Sequence, residues 1–161
     1  LRLRPANFPT LRLAQAAALF HSIGAFFRWF SGQGAQLDLK SLMVEPSDYW
    51  KTHYTFGSSS VEKRKPIGAT MANNIVINAA APFLFVTAKR EFRPELQELA
   101  LEILQHMDAE KNAKVIAFEN LGIKPRNAAE TQSLIELKTN FCDHKKCLIC
   151  SIGANMLKRD S

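Results

Sequence analysis

The first 37 residues contain no aspartate or glutamate, and the whole 161-residue chain has only three cysteines, no glycine-rich phosphate loop and no long unbroken apolar run. Each shortage excludes something. A membrane-spanning helix needs about 20 consecutive apolar residues. The nearest approach, Ile75 to Ala88, is interrupted by Asn78 and Pro82 and reads as a buried helix. Gly32 and Gly34 lack the other residues of either nucleotide-binding glycine pattern. An odd number of cysteines does not build the disulfide framework of a small secreted protein, so a reducing cytoplasm is expected. Period-two alternation never persists beyond a few residues, and no repeat or low-complexity segment is present. The chain opens LRLRPANFP, without an initiator methionine or a signal-peptide pattern. It is expected to be the C-terminal part of a longer protein.

What is there is basic at both ends. Arg2, Arg4, Arg12 and Arg28 give the acid-free segment a charge of +4, within a total of +6. Residues 138–161 add Lys138, Lys145, Lys146, Lys158 and Arg159 against Asp143 and Asp160. Such asymmetry fits an anionic partner such as nucleic acid, contacted by Arg4, Arg12, Lys145 and Lys146 on one contiguous face. A pair of solvated basic faces fits it equally. Lys63, Arg64 and Lys65 lie in a polar loop, GSSSVEKRKP, which is also the clearest internal breakpoint. Short basic loops are common, so their nucleic-acid signal is weak.

The periodicity predicts an all-α orthogonal bundle of roughly six to eight helices forming a single domain. Helices at 10–31, 68–89 and 94–108 are expected to form its core. Asn7 or Thr10 is expected to cap the first, and Asn112 and Asn127 to cap two later ones; Asn73, Asn74 and Asn78 are expected either to satisfy backbone groups near Pro82 or to face a polar site. Tyr49, Trp50, Tyr54 and Phe56 are expected to pack in the core rather than stack on a ligand. A helix-turn-helix reading of 94–141 is disfavoured, because the connection after Gly122 is too long.

The most specific stretch is Phe141 to Gly153, FCDHKKCLICSIG. Cysteines two residues apart can direct both sulfurs at one soft metal ion. Cys142, Cys147 and Cys150, with His144 as a fourth ligand, make a candidate metal site. Zinc stands ahead of an iron–sulfur cluster, because zinc accepts mixed sulfur and nitrogen ligands. Otherwise the fourth ligand must come from His21, His53, His106 or outside the chain. If the chain is helical from Lys146 onward, Cys147 and Cys150 share a face and Cys142 can fold back over it. The opposing reading is burial of small apolar thiols beside Leu148 and Ile152. Redox or nucleophilic catalysis by these cysteines lacks a strand–helix setting or an oxyanion hole.

Three stretches together, RLRPANFPTLRLAQ, NNIVINAAAPFLF and CDHKKCLICSIG, resemble an uncharacterised bacterial family, domain-of-unknown-function family 2851. The carrying residues are Arg4, Pro5, Asn7, Pro9, Arg12 and Gln15 at the start and Cys142, Cys147, Cys150 and Gly153 at the end. His144 departs from the family's motif. The resemblance implies that the chain corresponds to the family's C-terminal half. It also implies that the other half is distantly similar to restriction-endonuclease-like nuclease folds. Catalytic acids are then expected outside this chain, with no catalysis by this piece alone. It would be a helical accessory module, and the alternative is a purely structural helical domain.

Overall fold

The computed structural model describes residues 7–22 and 39–159, with side chains up to Met156. The chain is mostly helical, as its periodicity predicts, and divides into two compact units, residues 1–96 and 97–161.

In the first unit, α1 (Pro9–His21) opens on a proline, whose missing N–H costs nothing in a first turn. Phe8 occupies the cap position, and no side chain caps the helix there. Both expected caps are diverted: Thr10 Oγ1 donates to the Tyr54 carbonyl at 2.6 Å, and Asn7 Oδ1 accepts from Arg12. Leu11 and Gln15, one turn apart, are the buried positions of α1, whereas Leu13 and Phe20 are exposed. The helix therefore contributes one narrow buried stripe to the core. It ends at His21, with Ser22 folded back on Leu19; the rest of the expected 10–31 span lies outside the described residues.

Two short 3-10 turns, Leu39–Leu42 and Asp48–Lys51, bury Leu42 and Trp50. Trp50 takes Tyr49 and Phe56 edge-on, each at 5.3 Å between ring centroids. Of the expected aromatic cluster it alone is fully buried; Phe56 is 73% exposed. A small antiparallel hairpin follows, β1 (His53–Thr55) and β2 (Ser58–Ser59), with Gly57 supplying the left-handed backbone of its turn. The polar 57–66 segment is thus no breakpoint. Main-chain bonds from Ser60 to Thr52, Lys63 to Lys51 and Ile67 to Val44 hold it in place. Such bonds need no hydrophobic pattern, which is why the sequence reads as a loop.

One long helix, 69–91, then carries the core of this unit. It comprises α2 (Ala69–Ile75), a π-helical turn (Val76–Ala80) and α3 (Ala81–Glu91). Ala72, Val76, Ile77, Ala80, Ala81, Leu84 and Ala88 are all buried along it, the alanines allowing close backbone approach. By length and composition it is the one helix among the described residues that could cross a membrane. The π turn lies directly before Pro82, whose ring would otherwise meet the Asn78 carbonyl. Asn78 donates its side-chain amide to the Asn74 carbonyl at 3.2 Å, as expected of an asparagine beside a broken ladder.

Phe92 ends α3 with a left-handed φ of 54°, and the next N–H, of Arg93, returns to the Ala88 carbonyl. Glycine is the usual residue here, since a β-carbon in this conformation costs about 1–2 kcal/mol. The Phe92 side chain is 91% exposed and has little packing to lose. Phe92→Gly is therefore expected to raise stability by roughly 1 kcal/mol in urea denaturation. An unchanged or lowered midpoint would refute the strain assignment.

The second unit contains most of α4 (Pro94–His106), followed by α5 (Ala113–Glu119) and α6 (Ala128–Glu136). Leu96, Ala100 and Leu104 are the buried positions of α4. Asn112 and Asn127 cap α5 and α6 as predicted, accepting from the amides of Lys114, Val115 and Glu130. Gly122 closes α5 at a φ of 86°, with Ile123 N–H returning to Phe118 and Gly122 N–H to Glu119. The start of α6 is pinned by Ala128 N–H on the Met107 carbonyl. Beyond α6 the chain continues as a π-helical segment, Leu137–Cys142, a 3-10 turn, Cys147–Ile149, and α7 (Ser151–Arg159).

Candidate functional site

The arginine motif of the N-terminus folds into a hydrogen-bonded chain that ends on a buried lysine. Arg12 donates from Nη2 to Asn7 Oδ1 at 2.7 Å and from Nη1 to Gln15 Oε1 at 2.9 Å. Gln15, itself buried, passes the connection on: its amide donates to the carbonyls of Lys65 and Pro66 at 3.0 and 3.2 Å. Lys65 is 7% exposed and has no carboxylate partner among the described residues. Its ammonium donates to the carbonyls of Trp50, Lys51 and His53 at 2.6, 2.9 and 3.2 Å. The same ammonium sits 3.9 Å from the centre of the Tyr54 ring. Burial, and after it the charge of Lys63, lowers the Lys65 pKa from its ordinary value.

Asn7, Arg12, Gln15, Tyr54, Lys65 and Pro66 line a cleft of about 560 Å³ with Leu11, Lys63, Arg64, Thr70 and Asn74. Among the described residues no aspartate or glutamate contributes to its wall. Arg64 is already neutralised, gripping Glu45 Oε2 through Nε and Nη2 at 2.9 and 2.7 Å. That hydrogen bond holds the Glu45 carboxyl below its usual range. Arg12 and Lys63 have no carboxylate partner among the described residues. Among the described residues Arg12 is held by neutral oxygens only, so these orient it without neutralising it. The result is an electropositive recess on one compact unit.

The cysteine segment lies in the other unit. Lys145 takes a left-handed φ of 53°; its N–H bonds the Cys142 carbonyl and the Lys146 N–H bonds the Phe141 carbonyl. This is the glycine-type termination of a helix, made here by a lysine. The chain is not helical from Lys146 onward: Cys147–Ile149 is a short 3-10 turn, and Cys150 is extended before α7 begins. Cys147 and Cys150 therefore do not share an α-helical face. Cys142, Cys147 and His144 are exposed, and Cys150 is buried. Among the described residues no three histidine, cysteine, aspartate or glutamate side chains are grouped to hold a metal ion. Two alternative ligands are engaged locally, His53 Nδ1 near the Tyr49 carbonyl at 2.9 Å and His106 Nδ1 near that of Glu102 at 2.8 Å. Gly153 is fixed by space: a β-carbon there would lie 2.4 Å from the Cys147 carbonyl oxygen.

A family model described as "Protein of unknown function (DUF2851)" matches residues 1–113 of the chain. The chain belongs to the DUF2851 family. No curated protein and no solved structure matches it. The matched region of this DUF2851 chain includes the Asn7–Arg12–Gln15 network, Lys63 and Lys65, and the cysteine segment lies beyond it. Of the four basic residues expected to meet nucleic acid, Arg12 lines the cleft, Lys145 and Lys146 are exposed on the second unit, and Arg4 lies outside the described residues. The sequence reading gave Lys63 and Lys65, with Arg64, only a weak nucleic-acid signal, and missed that they line one cleft with Arg12 and that Lys65 is buried. The signal was slight: a lysine two residues from another, in a loop with no apolar period.

Proposed function

We propose that this DUF2851 chain is a helical accessory module that binds nucleic acid through its phosphates at the Arg12 cleft. The observation that carries the reading is a recess containing two cations that, among the described residues, have no carboxylate partner and no acid beside them in the wall. Nucleic-acid affinity is dominated by such phosphate contacts. Lys145 and Lys146, exposed on the second unit, are proposed as a separate phosphate contact of that unit. No catalytic step is assigned to these residues. In a nuclease-like protein the module would hold the strand while acids elsewhere cut it.

The measurement is the salt dependence of affinity. Binding of a single-stranded oligonucleotide is expected to weaken linearly in the logarithm of salt concentration, as counterions are released. Each lost phosphate contact lowers the slope by about 0.7. Lys63→Gln is expected to lower it by one such step, because Lys63 is exposed and its loss leaves the fold intact. Affinity independent of salt, or a slope unmoved in both Lys63→Gln and Arg12→Gln, would leave a purely structural domain as the reading.

A further inference from the structure

We infer that the Arg12 cleft is a phosphomonoester site, taking the doubly charged terminal phosphate of a strand in preference to an internal diester. The inference rests on the phosphate-binding reading above and narrows it to one ligand chemistry.

Charge is the first argument. Arg12 and Lys63 have no carboxylate partner among the described residues, and Lys65 beneath them is a third cation without an acid. A backbone diester brings one negative charge, whereas a monoester brings about −1.5 to −2 near neutral pH. Two uncompensated cations in one recess match the second better.

Donor supply is the next. A guanidinium carries five N–H donors in a rigid fork. In Arg12 one N–H of Nη1 is committed to Gln15 and one of Nη2 to Asn7, which leaves three without a partner among the described residues. A monoester presents three terminal oxygens, and Lys63, Thr70 and Asn74 on the wall carry donors for those that Arg12 does not take. Arg64 and Lys65 are not counted, because Glu45 and three carbonyls already occupy them.

Shape completes the case. A cleft of about 560 Å³ lies within the range of sites that enclose a small ligand or end group.

The test uses the full chain and labelled single strands of one sequence, bearing a 5′-phosphate, a 3′-phosphate or hydroxyls at both ends. A phosphate-ended strand is expected to bind about tenfold more tightly than the hydroxyl-ended one, as a charge-assisted hydrogen-bond set would give. Inorganic phosphate should erase the preference. Arg12→Gln and Lys63→Gln should each remove most of it, and Lys124→Gln, on the other unit, should retain it. Lys63→Gln guards against a folding artefact, since Arg12 also ties α1 together. Equal affinity for phosphate- and hydroxyl-ended strands, with normal salt dependence, would overturn the monoester site and leave nucleic-acid binding standing. Binding of inorganic phosphate or a nucleoside monophosphate by calorimetry, with no binding of any strand, would keep the site and sink the nucleic-acid reading. Binding of neither overturns both.

Discussion

Lys65→Met is expected to destabilise the protein by about 2–3 kcal/mol at neutral pH, chiefly by orphaning buried carbonyls. The ammonium serves the carbonyls of Trp50, Lys51 and His53 and lies over the Tyr54 ring. Lys51 also receives the Lys63 N–H, so its carbonyl keeps one partner; the Trp50 carbonyl has no other among the described residues. Methionine fills the space but donates nothing. The relief of no longer burying a charge offsets part of the loss, which is why the figure is not larger. Alkaline pH supplies an independent check. Burial depresses the Lys65 pKa in the folded state, so between that depressed value and the ordinary lysine value the unfolded chain binds more protons. This contribution makes the wild type more stable as pH rises through that window, and Lys65→Met lacks it. The difference in urea stability between the two proteins should therefore widen from neutral to alkaline pH. Equal stability at neutral pH would remove Lys65 from its role as the pin beneath the cleft.

The same residue shows what a linear sequence conceals. Gln15 reaches the Lys65 carbonyl across 50 positions, and no local period announces such a bond. Arg12 was legible as part of a motif, but its partners were not. The asparagine caps at Asn112 and Asn127 were legible, because an asparagine ahead of an apolar run satisfies amides two and three residues away. Asn7 and Thr10 have the same local credentials, yet tertiary bonds to Arg12 and Tyr54 take their side chains. The core of the 69–91 helix was legible from its apolar length and the π turn was not, although Pro82 marked its place. In the cysteine segment, spacing alone favoured sulfurs on one helical face. A left-handed Lys145 and an extended Cys150 break the helix on both sides of the short turn, and neither has a composition signal. Lysine at a position that glycine usually fills is the reason the break was invisible.

Gly153→Ala is expected to disrupt the C-terminal segment, at a cost of about 1–3 kcal/mol for overpacking against backbone. A β-carbon at Gly153 would stand 2.4 Å from the Cys147 carbonyl oxygen and 3.0 Å from its carbonyl and α carbons. All three are main-chain atoms, so no rotamer change can make room. Either α7 withdraws or the Cys147–Ile149 turn unwinds. Cys150 sits between them: its N–H bonds the Cys147 carbonyl at 3.3 Å and its own carbonyl receives the Ala154 N–H at 2.8 Å. Its burial thus depends on both elements staying together. Cys142 and Cys147 are already exposed. A thiol reagent under native conditions should find those two fast and Cys150 slow in the wild type, and all three fast in Gly153→Ala. Gly153→Ser must behave in the same way, because the clash belongs to the β-carbon and not to what it carries. Two fast thiols in both variants would mean that the turn and the helix are not packed as described. If chelator treatment of the wild type instead released Cys150, the cysteines would be holding a metal, and the segment would owe its order to that ion rather than to Gly153.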